Sequence, residues 1–257
     1  MKRHIALAIM LLSGAVAVSS VARADEPQKP QPAITDDAST ALIQMGKTLL
    51  GNQFSFKART IRVYEEENGQ PLHIFHTINA EVRRPDRLAV HVNGDDGQTD
   101  LFYDGKTVTI AGVDKSKYAT INAPDNIEAM MKEVMGRLQV DFPLADFLTN
   151  APNKAFLTGV TTGSEVGIAM VDGVAYRHLF FTQPPGIELE LWVAKDQQAL
   201  PKRLIVTYRL LPGQPNFIAE FSDWNFAIHP SDADFTFQPP AGATKVELKS
   251  SSLEGDK

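Results

Sequence analysis

From Phe54 onward the apolar residues recur at every second position in a series of stretches separated by turn residues. Period two sends alternate side chains to opposite faces, so each stretch reads as a strand with one buried face. Phe54, Phe56, Ala58 and Thr60 alternate with Ser55, Lys57, Arg59 and Ile61, and the run ends in Glu66-Glu67-Asn68-Gly69. Asn-Gly is a strong hairpin signal, because both residues tolerate positive φ. A strand over Leu72–Val82 returns, Arg84-Pro85-Asp86 breaks it, and Leu88–Val92 makes a third. Turns at Asp95-Asp96-Gly97 and Asp104-Gly105 bound short strands at Leu101–Tyr103, Thr107–Ile110 and Tyr118–Ile121. The second half reads as strands at Gly167–Val171, Val174–Thr182, Ile187–Ala194, Lys202–Leu211 and Asn216–Phe226. Asp172-Gly173 and Pro212-Gly213 lie in its connections, and Thr162-Gly163-Ser164-Glu165 reads as a further hairpin turn. Long antiparallel neighbours of this kind twist and curl toward a barrel or half-barrel.

Two segments break the period. After Thr35, an N-cap candidate followed by Asp36 and Asp37, the residues Ala38, Ala41, Leu42, Met45 and Leu49 recur at helical spacing up to Gly51. Ile127, Met130, Met131, Val134 and Leu138 form a second apolar stripe, over a helix Asn126–Leu138 started by Asp125 with Glu128. A short helical turn follows Pro143, through Leu144, Phe147 and Leu148. Each helix has one apolar face and must lie on something. The predicted fold is therefore mainly β with helices (α+β): an antiparallel sheet curled into a barrel or half-barrel, with two main helices covering its concave side.

The N-terminus carries a different signal. Met1-Lys2-Arg3-His4 precedes the apolar run Ile5–Val18, and Ala22-Arg23-Ala24 follows. A charged start, a short apolar core and an A-x-A site mark a secretory signal peptide. The run is too short for a bilayer, which takes roughly 20 residues. The expected organisation is a signal peptide over 1–24, a flexible lead over 25–35, a single domain over 36–248 and a polar tail over 249–257. The product is expected outside the cytoplasm. The chain has no cysteine, which excludes disulfides and a lipid anchor on a cysteine. It has 25 basic against 31 acidic residues, and loss of Lys2, Arg3 and Arg23 makes the balance more acidic. That surface does not suit nucleic acid, and no further stretch suits membrane insertion.

Catalytic patterns are missing. His73 and His76, three apart on a strand, point to opposite faces. His178 sits among aromatics and His229 precedes Pro230. There is no G-x-S-x-G elbow and no Gly-rich phosphate loop. Asn93–Gly97 resembles a calcium loop, but its glycine falls one place early. Asp232 and Asp234 read as solvated carboxylates. No enzyme activity, cofactor or metal is expected. Charged residues instead mark faces. Glu188 and Glu190 turn Ile187, Leu189, Leu191 and Val193 inward, and Arg203 and Arg209 turn Leu204, Val206, Tyr208 and Leu210 inward. Lys57 and Arg59 turn Phe54 and Phe56 inward, and Glu220 does the same for Phe217 and Phe221. With Met130, Met131 and Val134 from the second helix, Phe54, Phe56, Leu189, Leu191, Leu204, Val206, Tyr208, Phe217 and Phe221 form the candidate ligand-binding set. Within it Phe56, Leu191, Val206, Tyr208 and Phe221 are expected to line an apolar pocket under Ile127–Leu138. A filled core is the alternative. Trp192 and Trp224 fall on the opposite parity, unless a bulge turns Trp224 inward.

Several blocks resemble the predicted periplasmic proteins of domain of unknown function 2092. They are RRPDRL (Arg83–Leu88), FYDGKTVTI (Phe102–Ile110), YRHLFF (Tyr176–Phe181), LWVAKDQQALPKRLIVTYR (Leu191–Arg209), FSDWNF (Phe221–Phe226) and FTFQPPAGATKVE (Phe235–Glu247). That family is similar in organisation to the bacterial lipoprotein-localisation carriers. The resemblance implies an unclosed barrel with helices over a hydrophobic cavity. It points to a non-enzymatic carrier or binding protein for a hydrophobic small molecule or acyl chain. The alternative it implies is a regulatory or sensor module that binds a periplasmic or outer-membrane protein.

Overall fold

A computed structural model of the chain describes residues 33–66, 68–112, 115–138 and 142–247. The expected leader, the lead as far as residue 32 and the polar tail lie outside the described residues.

Helix α1 (Asp36–Leu49) precedes six strands, β1 (Gln53–Glu65), β2 (Pro71–Arg83), β3 (Arg87–Gly94), β4 (Gly97–Tyr103), β5 (Thr107–Ala111) and β6 (Lys117–Asn122). Then come α2 (Ile127–Leu138), a 3-10 turn (Ala145–Phe147) and α3 (Pro152–Leu157). The second meander is β7 (Thr162–Val171), β8 (Val174–Gln183), β9 (Ile187–Ala194), β10 (Pro201–Tyr208) and β11 (Asn216–Asn225), and a short β12 (Thr244–Lys245) ends the sheet. All 12 strands form one sheet in the order β12-β6-β5-β4-β3-β2-β1-β11-β10-β9-β8-β7. Each meander pairs in sequence order, and β1 joins them by pairing with β2 on one side and β11 on the other. Among the described strands, β12 alone runs parallel to its neighbour, β6. No ladder joins β7 to the β6–β12 edge, so the barrel is unclosed as expected.

The parity of β1 is as read: Phe54, Phe56, Ala58 and Thr60 are all buried. The tight turns use the residues that permit them. Asp172 and Gly173 have φ of 50° and 78°, and the Asn68 side chain accepts the Gln70 N–H at 2.9 Å beside Gly69.

Several local expectations are corrected. Thr35 is the N-cap of α1 as expected, its carbonyl receiving the first helical bond from Ser39, but its hydroxyl makes no capping hydrogen bond. Asn126, rather than Asp125, caps α2, its Oδ1 accepting the Ala129 N–H at 2.9 Å. Residues Thr162–Glu165 begin β7 instead of forming a turn, because Gly163 lets the Phe181 ring lie directly against the backbone. Helix α3, with Pro152 at its first turn, was not foreseen. Strand β10 ends at Tyr208, which leaves Leu210 outside the sheet and 71% exposed. A bulge in β11, where Asp223 has φ of 54°, turns Trp224 inward against Phe56 with ring centroids 4.6 Å apart. Asp232 and Asp234 are exposed as expected; Asp232 also pairs with Arg83, and Asp234 accepts from the Ser231 N–H at 2.7 Å.

Candidate functional site

Three contacts fix the start of α2. Beside the Asn126 cap, Ile127 donates its N–H to the Pro85 carbonyl at 3.0 Å, and the Tyr103 hydroxyl donates to the Pro124 carbonyl. Burial, with the nearby Asp86 and Asp125, pushes the Tyr103 phenol up to about 12. From that anchor α2 turns its apolar stripe toward the concave face of β3, β4 and β5. Val90, Val92, Thr99, Leu101 and Ile110 face Met131, Val134, Met135 and Leu138 there, and Phe142 also lines the space. Between them lies a groove of about 250 Å³, with the Thr99 hydroxyl as the one polar side-chain group among its lining residues. The cause is side-chain length: the strands offer mostly short branched residues, and unbranched methionines face them without filling the space.

The other half of the concave face is closed. Phe54, Phe56, Leu189, Leu191, Leu204, Val206, Phe217 and Phe221 are all buried there in one core with Ala38, Leu42, Met45 and Leu49 of α1. Phe147 of the 3-10 turn reaches Phe221 at 4.9 Å and Phe156 of α3 at 4.7 Å between ring centroids. Helix α1 packs on α3, β7 and β9, and is tied to the β9–β10 loop by Gln44 Nε2 donating to Asp196 O at 3.1 Å. Met130 is buried in the same core. Tyr208 is only partly buried, at a separate surface recess with Arg62, Tyr64 and Asn216. Of the sequence-derived set, Met131 and Val134 therefore line the groove beneath α2. The expected grouping of Phe56, Leu191, Val206, Tyr208 and Phe221 under this helix does not occur, because α2 faces β3–β5 while α1, α3 and the 3-10 turn cover the later strands. The groove residues of β3–β5 were missed. Their signal was available in the alternation Val90–Val92, Thr99–Leu101 and Val108–Ile110, on strands of the meander that runs into α2.

A family model described as a predicted periplasmic protein, DUF2092, matches residues 38–249. The chain belongs to this family. DUF2092 membership makes the protein periplasmic, and among the described residues no helix is long and apolar enough to cross a membrane. No curated protein matches the chain. Among solved structures it is similar to the lipoprotein LppX of Mycobacterium tuberculosis, with 17% identity and a TM-score of 0.46 over 76% of this chain and 99% of that one. It is similar to an uncharacterised conserved protein of Thermus thermophilus, with 9% identity and a TM-score of 0.49 over 81% and 98%. A LolA superfamily protein of Nitrosomonas europaea is also similar, with 10% identity and a TM-score of 0.38 over 78% and 98%. None of these likenesses reaches a TM-score of 0.5, so they bear on neither ligand nor partner.

Two histidine–carboxylate clusters of this DUF2092 domain sit on the convex side. His91 Nδ1 lies 2.9 Å from Asp100 Oδ1, and Lys115 Nζ lies 3.0 Å from Asp100 Oδ2. Burial pushes the Asp100 carboxyl up, but hydrogen bonds from His91 and Lys115, the charge of His91 and a bond from Gln98 together hold it below its ordinary value. His178 Nε2 meets Glu190 Oε2 at 2.8 Å while its ring stacks on Trp192 at 4.0 Å. The stacked imidazole is what covers the outward-facing tryptophan. Among the described residues no group of three or more His, Asp or Glu side chains is placed to hold a metal ion.

Proposed function

We propose that the protein is a periplasmic, non-enzymatic carrier or binding protein for a hydrophobic ligand such as an acyl chain, with residues 36–248 as the single binding domain. The observation that carries this reading is the groove between α2 and β3–β5, a carbon-lined space of about 250 Å³ in a protein whose remaining concave face is filled. Each methylene of a chain laid in it gains about 0.8 kcal/mol before ordering costs. Met131 and Val134 touch the ligand in this reading. Met130, Phe54, Phe56, Leu189, Leu191, Leu204, Val206, Phe217 and Phe221 support the sheet from the packed side, and Tyr208 stands at its rim. The test is saturable binding of a fluorescent fatty acid, with Leu101→Trp as the blocking variant. The substitution fills the groove without adding charge, so affinity should fall by at least about tenfold, equivalent to roughly 1.4 kcal/mol, while the thermal melt is retained. A wild-type protein with no saturable binding overturns the carrier reading.

One observation favours the alternative of a protein-binding module. Strand β7 ends the sheet and exposes Val166, Ile168 and Met170. An edge of this kind can accept a partner strand by backbone pairing. Ile168→Lys should then abolish capture of a periplasmic protein partner and leave fatty-acid binding unchanged.

A further inference from the structure

A second recess, also about 250 Å³, lies on the other side of α2, between that helix and the segment that includes the 3-10 turn and α3. Met131 and Met135 line both this recess and the apolar groove. The two spaces are thus parted by two unbranched thioether side chains one helical turn apart. Methionine changes rotamer readily, with three rotatable bonds and no branch to clash. Neither space alone reaches the roughly 300 Å³ at which ligand pockets begin, whereas joined they do.

The recess differs from the groove in its rim. Its charged lining residues are Glu128, Lys132 and Asp146, with the hydroxyls of Thr149 and Thr158 beside them. Glu128 and Lys132 are both exposed, and stand one turn apart on α2. Such a pair often closes into an ion pair. Here neither side chain has a hydrogen bond or ion pair with any described residue. A purely anionic head at this rim would meet Glu128, and a purely cationic one would meet Lys132. A head bearing both charges suits both.

We propose that groove and recess are two halves of one site, opened to each other by movement of Met131 and Met135, and that the site takes a single-chain amphiphile with a zwitterionic ammonium–phosphate head. The chain lies against Val90, Leu101 and Val134. The phosphate faces Lys132 and the ammonium faces Glu128. This inference rests on the hydrophobic-ligand reading above and adds the head group and the route between the two spaces.

The experiment measures displacement of a bound fluorescent fatty acid by three ligands of equal chain length, below their micelle concentrations. They are palmitoyl lysophosphatidylethanolamine, palmitate and the uncharged monopalmitoylglycerol. Two solvent-exposed pairings predict a preference of about fivefold for the lysolipid over the uncharged lipid. Glu128→Gln and Lys132→Gln should each cut that preference to about twofold or less, with unchanged binding of monopalmitoylglycerol. Both residues are exposed, so a thermal melt should show both variants folded. In methyl-labelled protein the signals of Met131 and Met135 should both shift on lysolipid binding. If none of the three ligands displaces the probe, the hydrophobic-ligand reading itself fails. If all three displace it equally, or the two variants keep the wild-type preference, or the two methionine signals stay in place, the chain-binding reading stands and this inference is overturned.

Discussion

Arg84 is the residue whose loss should tell most about how the helices are held over the sheet. Its Nη1 donates to the Leu148 carbonyl at 2.7 Å and to Asn150 Oδ1 at 3.3 Å, and its Nη2 donates to the Leu49 carbonyl at 3.1 Å. The guanidinium also lies 5.7 Å from the Phe54 ring centroid. Leu49 is the last residue of α1, so its carbonyl has no partner within the helix and carries the negative end of the dipole. One side chain thereby ties α1 to the segment between the 3-10 turn and α3. Burial draws the guanidinium down to about 10, which still leaves it charged at neutral pH. Arg84→Met keeps most of the aliphatic stem and removes every donor. Each stranded carbonyl costs about 1–3 kcal/mol. Part is returned, because a buried charge and the unpartnered Nε also disappear. The net loss should be about 2–4 kcal/mol. Urea unfolding followed by circular dichroism measures it, with an unchanged slope against denaturant. Arg84→Lys offers a point charge that cannot reach both carbonyls at once, so it should recover less than half of the loss. A loss below about 1 kcal/mol, within the ordinary worth of one hydrogen bond, or full rescue by lysine, would refute the bridging argument.

Two further outcomes follow from single sites. Asp100 has its carboxyl held below the unfolded value of about 3.9, so it stabilises the fold above that pH and the contribution is lost as pH falls through the folded value. The stability gap between wild type and Asp100→Asn should therefore be present at about pH 5 and narrow as pH falls below about 4; a gap that does not narrow there contradicts the arrangement with His91 and Lys115. At Gly163 an added Cβ would lie 2.6 Å from Phe181 Cε1, in a ring that is 1% exposed. Gly163→Ala should cost about 1–3 kcal/mol by overpacking and lower the Tm by at least about 2 °C, and an unchanged Tm would mean that the β7 edge moves freely.

The part of the architecture that depends on period was legible in the chain. Strand β9 and both main helices lie within a residue of their expected bounds, because charged residues mark one face of each and turn residues mark the ends. What escaped was set by partners distant in sequence. Helix α3 is 6 residues long, too short to show a period, and it exists because Phe156 packs on Phe147. The β11 bulge has no mark at Asp223 or Trp224 that a regular strand would lack. It is the register of β1 against β11 that absorbs the one extra residue and sends the indole into the aromatic core. The inward parity of the candidate set was readable for the same reason as the strands, but parity says only which face a side chain takes. Which helix covers that face is a question of topology. The chain runs from β6 directly into α2, and a short connection keeps the helix near the strands it has just left.

The same reasoning bears on the Arg83-Arg84-Pro85 block, which entered as a mark of family resemblance. Val82 is buried on the concave side, so strand alternation sends Arg83 to the convex side. There Arg83 donates to the Pro230 carbonyl at 2.9 Å, pairs with Asp232 and lies 5.1 Å from the Phe235 ring centroid. It thus fastens the C-terminal segment, whose Phe237 rests on Phe102 and Tyr118. Arg84, one residue on, turns the other way and fastens the helices, while the Pro85 carbonyl accepts the first N–H of α2. Three consecutive residues at the end of β2 therefore join the sheet to the layer on each of its faces. A short run of two arginines and a proline, which suggests an exposed turn by composition alone, is where the two coverings of the half-barrel meet.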